Sequence, residues 1–269
     1  MTAAEWKWIG ASVLGTSHRN TSTECQDNHR CDQILSREGP VLIAIVSDGA
    51  GSATRSAEGS RLICEVLQEQ AAQYFVEDGR VELLNQRLIA SWVNMFRDEV
   101  ILQASAEGIS ERDFACTLVG AIVSPTASAF FQIGDGAVVY SSGTSGEYSL
   151  VFWPERGEYE NTTYFATQAN FLEELNFALV EDRILEIGLL SDGLQRLALD
   201  YQTQRPHQQF FNGLFPAVRK STPSNLARLQ EQLNDYLDSP KINERTDDDK
   251  TLLLAVRQDP QAQEKVGES

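Results

Sequence analysis

The chain has 269 residues and a formal net charge of −17, with 42% hydrophobic and 23% charged residues. This composition is typical of a globular protein and excludes a fibrous or wholly disordered chain, and the acidic charge excludes nucleic acid as an expected partner. No apolar stretch reaches the ~20 residues of a membrane-spanning helix, and residues 1–10 lack a signal-peptide pattern. We therefore expect a cytoplasmic protein with no membrane contact.

The first half of the chain predicts one buried strand, then two helices, then a run of strands. The apolar, β-branched run at residues 41–46 predicts the first strand, because it stops at Ser47-Asp48-Gly49. Apolar residues at helical spacing predict helices from residue 56 to about 74 and from 81 to 104. Further strands are predicted at residues 116–123, 127–133, 137–140 and 148–153.

In the second half, a flap-like segment is predicted at about residues 143–185, and a polar tail at 258–269. Strands are predicted at residues 184–190 and 251–256, and helices at 210–218 and 226–237. Strand pairs and helix pairs follow one another without regular alternation, which favours an α+β fold. We expect a single domain, residues 1–257, in which two antiparallel sheets pack together with helices outside.

Aspartates stand at the ends of several predicted strands. Asp48, Asp135 and Asp192 each follow a strand and precede a glycine, Asp248 precedes the last strand, and Asp27 lies near the N-terminus. A single Asp-Gly pair is usually turn chemistry. Repeated at one end of a sheet, such pairs would gather carboxylates that repel one another. Mg²⁺ or Mn²⁺ is the natural counter-charge, because these cations prefer oxygen ligands.

The ordered motifs resemble those of metal-dependent protein phosphatases of the 2C type, particularly the short bacterial branch. The motifs are Gly15-Thr16-Ser17-His18, Cys25-Gln26-Asp27, Asp48-Gly49-Ala50-Gly51-Ser52, Thr117-Leu118, Gly134-Asp135-Gly136, Ser191-Asp192-Gly193 and Asp248-Asp249-Lys250-Thr251. The resemblance covers almost the whole chain. It implies a four-layer α-β-β-α sandwich and a serine/threonine protein phosphatase that acts on phosphoserine and phosphothreonine proteins.

The resemblance also implies a centre of two Mn²⁺ or Mg²⁺ ions, with a third, weaker ion. The residues that would bind metal are Asp27, Asp48, Gly49, Asp135, Asp192 and Asp248. Asp48 would bridge the first two ions, Asp27 would orient the attacking water or touch the second ion, and Asp135 would serve the third. The implied reaction is in-line attack on phosphorus by a hydroxide that bridges the two metals.

Four positions depart from the family pattern. Arg196, four residues after Asp192, stands where some relatives carry an acid for the third metal. Gln26 replaces a glutamate that supports the second metal, and Ser22 replaces a phosphate-binding arginine. We expect His18 or Arg19 to bind the phosphate instead. Ala50 stands where many eukaryotic relatives carry a histidine that acts as general acid. The proton for the leaving group would then come from His18 or from metal-bound water, a choice that the sequence leaves open.

Other functions fit the sequence less well. A zinc site has ligand types available in His18, Cys25, His29 and Cys31, but their spacing fits no common finger. A calcium-binding module lacks the twelve-residue EF-hand loop. The main alternative is a catalytically degenerate phosphatase fold that binds phosphoproteins or acts as a scaffold, which Gln26 and Ala50 favour and the retained aspartates oppose. We expect a monomer.

Overall fold

The computed structural model describes residues 6–143, 147–154 and 163–258. The strands are β1 (Trp6–Val13), β2 (Asn28–Ser36), β3 (Gly39–Ser47), β4 (Leu118–Val123), β5 (Ser128–Ile133), β6 (Ala137–Ser141), β7 (Ser149–Leu150), β8 (Asn176–Val180), β9 (Glu186–Leu190), β10 (Leu199–Asp200), β11 (Arg205–Pro206) and β12 (Lys250–Arg257). The α-helices are α1 (Thr16–Thr21), α2 (Ser56–Val76), α3 (Gln86–Glu107), α4 (Phe171–Glu174), α5 (Gln195–Ala198), α6 (Gln208–Lys220), α7 (Leu226–Leu237) and α8 (Pro240–Asn243). None of the helices in these ranges has the length and apolar character needed to cross a bilayer.

Ten of these strands form two antiparallel five-stranded sheets. The strand order is β1-β12-β9-β6-β7 in the first sheet and β2-β3-β4-β5-β8 in the second. The two sheets pack face to face through a shared apolar core that includes Val46, Val119 and Leu253. Helices α2 and α3 cover the outer face of the second sheet, and α6 and α7 cover the first. The predicted α+β fold with two antiparallel sheets between helix pairs is confirmed.

Strand β3 shows why its residues form a continuous apolar run. Leu42, Ala44 and Val46 face the other sheet. The alternate residues Ile43 and Ile45 pack in the core beneath α2 and α3. Because successive side chains of a strand point to opposite faces, a strand covered on both faces must be apolar at every position. This burial fixes the end of β3, and with it the position of the residue that follows Ser47.

The structure corrects several predicted elements. Strands β1, β2 and β8 were not predicted, and the predicted strand at residues 148–153 is reduced to β7. The second helix begins at Gln86 rather than residue 81, because the Asn85 side chain accepts a hydrogen bond from the Leu88 amide and caps it. Residues 81–83 form a short 3₁₀ turn instead.

Of the predicted flap, residues 144–146 and 155–162 lie outside the described ranges. The described part includes β8, which pairs with β5 along the edge of the second sheet. The predicted polar tail lies outside the described residues except for its first position, residue 258. The flap, the tail and the single-domain boundary therefore stay predictions.

Candidate metal centre

The loop after β3 is fixed by hydrogen bonds to Thr117. The Thr117 hydroxyl accepts from the Asp48 amide at 3.0 Å, and the Thr117 amide donates to the Asp48 carbonyl at 2.8 Å. A Cβ on Gly49 would lie 2.7 Å from the Gln26 carbonyl oxygen and 2.8 Å from Ser56. A side chain at this position would collide with the Gln26 backbone and with Ser56, so glycine is required there.

Asp27 is held at the junction of the two sheets. Its side chain is 5% exposed, and its Oδ2 accepts a hydrogen bond of 2.7 Å from Ser191 Oγ. Ser191 in turn accepts from the Thr251 amide at 2.9 Å. The side chains of Thr251 and Asp48 also lie near the Asp27 carboxyl group. The start of β2 is thereby joined to the end of β9 and the start of β12.

Asp192 follows β9, and its carboxyl group lies close enough to that of Asp48 to raise the pKa of Asp48. Asp248 and Asp135 both lie close enough to act electrostatically on Asp192. Thr163 donates a hydrogen bond of 2.8 Å to Asp135 Oδ2. The five predicted aspartates therefore converge at one rim of the sandwich, where strand ends from both sheets meet.

The electrostatics of this cluster follow from burial and mutual repulsion. Burial raises the pKa of Asp27 to about 7, with the charge of Asp249 adding to the shift. Burial, followed by the charge of Asp135, raises the pKa of Asp192 to about 7. Burial and the neighbouring Asp27 and Asp192 raise the pKa of Asp48 well above its ordinary value. Carboxyl groups this close either share protons or share a cation.

Within the described ranges, no group of three or more His, Cys, Asp or Glu side chains is arranged to hold a metal ion. This holds equally for the alternative zinc set, His18, Cys25, His29 and Cys31. The aspartate rim nevertheless suits a hard cation. Asp27 Oδ1 and Asp192 Oδ1 are buried without a hydrogen-bond partner among the described residues. Oxygen donors of this kind are the ligands that Mg²⁺ and Mn²⁺ prefer.

His18 lies beside this rim through a contact with Asp249. The distance between His18 Nδ1 and Asp249 Oδ2 is 3.0 Å, although the ring is not aligned for a straight hydrogen bond. Asp249 is 2% exposed and accepts hydrogen bonds of 2.6 Å from the amides of Gly15 and Gln26. A Cβ on Gly51 would lie 3.9 Å from His18 Nε2. The free side of the imidazole therefore faces the loop that carries Asp48 and Gly49.

Arg19 is turned toward a different partner. Its guanidinium donates a hydrogen bond of 2.8 Å to Asp238 Oδ1 at the exposed surface. Two other arginines lie nearer to the aspartates. Arg196 and Arg245 line a cavity of about 230 Å³ together with Asp192 and Asp248. Neither arginine makes an ion pair with another described residue.

Four structural residues of the site were not assigned a role from sequence: Thr117, Ser191, Asp249 and Thr251. All four stand within the quoted motifs, and Ser191 directly precedes an Asp-Gly pair, which was the available signal. Asp249 lies in the run Asp247-Asp248-Asp249. Nothing in such a run says which carboxylate turns inward, because that depends on where β12 begins.

Comparison with known proteins agrees with this geometry. The profile of the family described as Protein phosphatase 2C matches residues 14–238. Serine/threonine-protein phosphatase 3 of Escherichia coli (strain K12) is 37% identical over 252 residues, which cover 93% of this chain and 98% of that protein.

Solved structures share the fold at lower identity. The catalytic domain of the serine threonine protein phosphatase PstP, in complex with 2 manganese ions, has a TM-score of 0.61 and 15% identity, covering 96% of this chain and 100% of that chain. The serine/threonine phosphatase Stp1 from Staphylococcus aureus has a TM-score of 0.57 and 15% identity, covering 95% of each chain.

The two-sheet sandwich is thus the fold of these solved bacterial serine/threonine phosphatases. The chain belongs to the protein phosphatase 2C family. The predicted family is confirmed, and the predicted enzyme class, a serine/threonine protein phosphatase, is confirmed as the class of its relative. The roles of individual residues stay predictions.

Proposed function

We propose that this protein is a metal-dependent serine/threonine protein phosphatase that hydrolyses phosphomonoesters of phosphoserine and phosphothreonine proteins in the cytoplasm. The observation that carries the proposal is the convergence of Asp27, Asp48 and Asp192 at one rim, with raised pKa values and buried oxygens that lack partners. When bound, two Mn²⁺ or Mg²⁺ ions would neutralise the phosphoryl oxygens and lower the pKa of the bridging water that attacks phosphorus.

In this proposal the Asp48 carboxylate and the Gly49 carbonyl hold the ions together with Asp192 and Asp248. Asp48 would serve both ions, and it lies close enough to Asp27, Asp192 and Asp248 for each of them to raise its pKa. Asp27 would accept a hydrogen bond from the attacking water, because its Oδ2 is already held by Ser191 and its Oδ1 has no partner. Asp135 would serve a third, weaker ion.

His18 is the proposed proton donor to the departing serine or threonine oxygen. Its contact with buried Asp249 at Nδ1 leaves Nε2 on the side of the Gly49–Gly51 loop. The 3.0 Å contact with Asp249 orients the ring, so that Nε2 stays on the side from which a proton would be donated. Such a donor typically contributes about 10²–10⁴-fold to the rate, because a serine alkoxide is a poor leaving group.

Phosphate binding is proposed for His18 and Arg19, with two further cations nearby. Arg19 would have to leave Asp238 to reach a phosphate. Arg196 and Arg245 need no such change, because both line the same cavity as Asp192 and Asp248 and neither is ion-paired with another described residue. Guanidinium groups bind phosphate oxygens in a bidentate manner.

The test is phosphate release from a phosphoserine peptide and from p-nitrophenyl phosphate, with Mn²⁺ and with Mn²⁺ plus excess chelator. We expect hydrolysis with Mn²⁺ and its loss on chelation. Hydrolysis that survives chelation would refute the metal-dependent mechanism. Binding of the phosphopeptide without turnover, under Mn²⁺ and under Mg²⁺, would instead support the alternative function, a degenerate fold that acts as a scaffold.

A further inference from the structure

A second, larger cavity begins one residue from the proposed metal centre. Its volume is about 810 Å³, and it is bordered by Ala50 and Ala115, whose backbones are joined by a hydrogen bond of 2.9 Å. Phe165 contributes an aromatic wall next to these alanines. Because Ala50 directly follows Gly49, a chain lying in this cavity would continue into the metal centre. A phosphate group alone is far too small to fill it, and the volume is that of a pocket for several side chains.

The cavity is basic in a protein that is otherwise strongly acidic. Arg97 from α3 and Arg112 line it, opposed by Glu111. Neither arginine forms an ion pair with another residue of the described ranges, whereas most other arginines near α2 are paired with glutamates. With a net charge of −17 on the chain, two unpaired guanidinium groups in one cavity indicate a site for a negatively charged partner.

Arg97 is also held in place for such a partner. Its guanidinium lies 5.1 Å from the centroid of the Phe171 ring, a cation–π contact at the rim of α4. Its Nε is buried and has no hydrogen-bond partner in the described part of the chain. Its only side-chain hydrogen bond there is a long one, 3.5 Å, to Asn94. A fixed guanidinium with an unsatisfied donor favours a carboxylate ligand.

We propose that this cavity binds the polypeptide beside the phosphorylated residue and selects substrates with acidic side chains there. The inference rests on the proposed phosphatase function and adds the class of substrate sequence to it. Arg97 and Arg112 pair with Asp or Glu of the substrate, and Phe165 packs against an apolar neighbour. The polar side chains of Ser52, Ser110 and Gln168 line the same cavity and hydrogen-bond to the substrate backbone.

The test compares two phosphoserine peptides that are identical except for Asp or Asn at the positions flanking the phosphoserine, with p-nitrophenyl phosphate as the substrate that cannot reach the cavity. Four proteins are assayed with Mn²⁺: the wild-type protein, Arg97→Gln, Arg112→Gln and the control Arg228→Gln. Arg228 lies on the exposed surface of α7, away from this cavity. Arg112 is likewise exposed, so its substitution tests the inference even if Arg97→Gln weakens folding.

We expect the wild-type protein to prefer the acidic peptide. Each cavity variant should lose about threefold in kcat/KM for that peptide, the size of a partly exposed ion pair. Rates with the Asn peptide and with p-nitrophenyl phosphate should not change, nor should any rate in Arg228→Gln. Equal kcat/KM for the two peptides in the wild-type protein would overturn this inference and leave the proposed function intact. Failure to hydrolyse any substrate would refute the proposed function itself.

Discussion

Asp48 and Asp192 follow strands in different sheets, yet their carboxyl groups lie close enough for the charge of Asp192 to raise the pKa of Asp48. Two carboxylates are brought this close only because each is carried by a buried strand, β3 in one sheet and β9 in the other. The two-sheet architecture therefore sets the spacing of the site. Because the pKa values of both groups are raised, the metal-free protein favours protons on these carboxyl groups. A bound cation would displace those protons.

The metal-free protein should lose stability as pH rises from 5 to 8. The folded pKa values of Asp27 and Asp192 are raised to about 7, above the unfolded value of about 4. Between these values the folded protein holds more protons than the unfolded chain, so its stability is greatest at the acidic end and is lost as pH rises through 7. Thermal melts with chelator should show a Tm lower by on the order of 5 °C at pH 8 than at pH 5.5.

Mn²⁺ should raise the Tm most at pH 8, since the metal competes with protons for the same oxygens. The matched control is Asp235→Asn, which changes an exposed carboxylate on α7. It should keep the wild-type pH dependence, whereas Asp48→Asn should flatten it. A metal-free Tm that is constant or rises between pH 5.5 and 8 would contradict this assignment of the raised pKa values.

Removing a metal-binding carboxylate should abolish turnover without unfolding the protein. In Asp192→Ala, kcat/KM with p-nitrophenyl phosphate and Mn²⁺ should fall by at least about 100-fold, because an ion loses one of its oxygen ligands. The metal-free variant should be as stable as the wild-type protein or more so, because a repulsive carboxylate is gone. Near-normal turnover in this variant would remove Asp192 from the metal centre.

Two substrates with different leaving groups can distinguish the role of the proton donor from that of the metals. His18→Gln should slow hydrolysis of a phosphoserine peptide by about 100-fold, the lower range for a general acid. The same change should slow p-nitrophenyl phosphate hydrolysis only slightly, because nitrophenolate leaves without a proton. Asp249→Asn should also lower both rates, each by a smaller factor than His18→Gln does. Equal losses with both substrates would mean that His18 binds the phosphate or supports the loop and does not donate the proton.

Glycine at position 193 is required by the approach of a neighbouring backbone. A Cβ there would lie 2.0 Å from the Asp249 carbonyl oxygen. Gly193→Ala should therefore push the Asp192 and Asp249 loops apart, lower the Tm and reduce activity. Gly213→Ala in α6 is the matched control, since a Cβ there meets no atom within 4 Å. Alanine is favoured over glycine in a helix by about 1 kcal/mol, so the control should be slightly stabilised in the same melts.

The phosphate contact can be assigned by comparing arginines. If the cavity beside Asp192 and Asp248 receives the phosphoryl group, Arg245→Gln and Arg196→Gln should raise KM for p-nitrophenyl phosphate several-fold. Arg19→Gln should then have a smaller effect, because Arg19 is already paired with Asp238. Initial rates over a range of substrate concentrations decide between them. A larger rise in KM for Arg19→Gln would return the phosphate contact to the loop beside His18.

The parts of the fold predicted from sequence were those whose burial leaves a clear pattern. Strand β3 is apolar at nearly every position because both of its faces are covered, and α2 shows one buried stripe. Strand β2 could not be found this way, because none of its nine residues is fully buried. In β1, Lys7 and Gly10 interrupt the apolar pattern. Gly10 is required there, since a Cβ would lie 2.6 Å from the His29 ring.

The aspartates of the candidate site were visible because each stands at the end of an apolar strand and three precede glycine. What could not be read is how the site is held together. Thr117 binds the backbone of Asp48 through both its amide and its hydroxyl, and Asp249 contacts His18 and the amides of Gly15 and Gln26. These contacts join residues more than 60 positions apart, so they depend on how the two sheets pack and not on any local pattern.

The most direct test of the metal centre is to count the Mn²⁺ ions bound at equilibrium, by electron paramagnetic resonance, in the wild-type protein and in Asp48→Ala. The same samples are assayed with a phosphoserine peptide. We predict two tightly bound ions and turnover in the wild-type protein, and loss of both in a folded Asp48→Ala protein. Unchanged Mn²⁺ binding and unchanged turnover in Asp48→Ala would contradict the proposal that this rim of aspartates is a phosphatase metal centre.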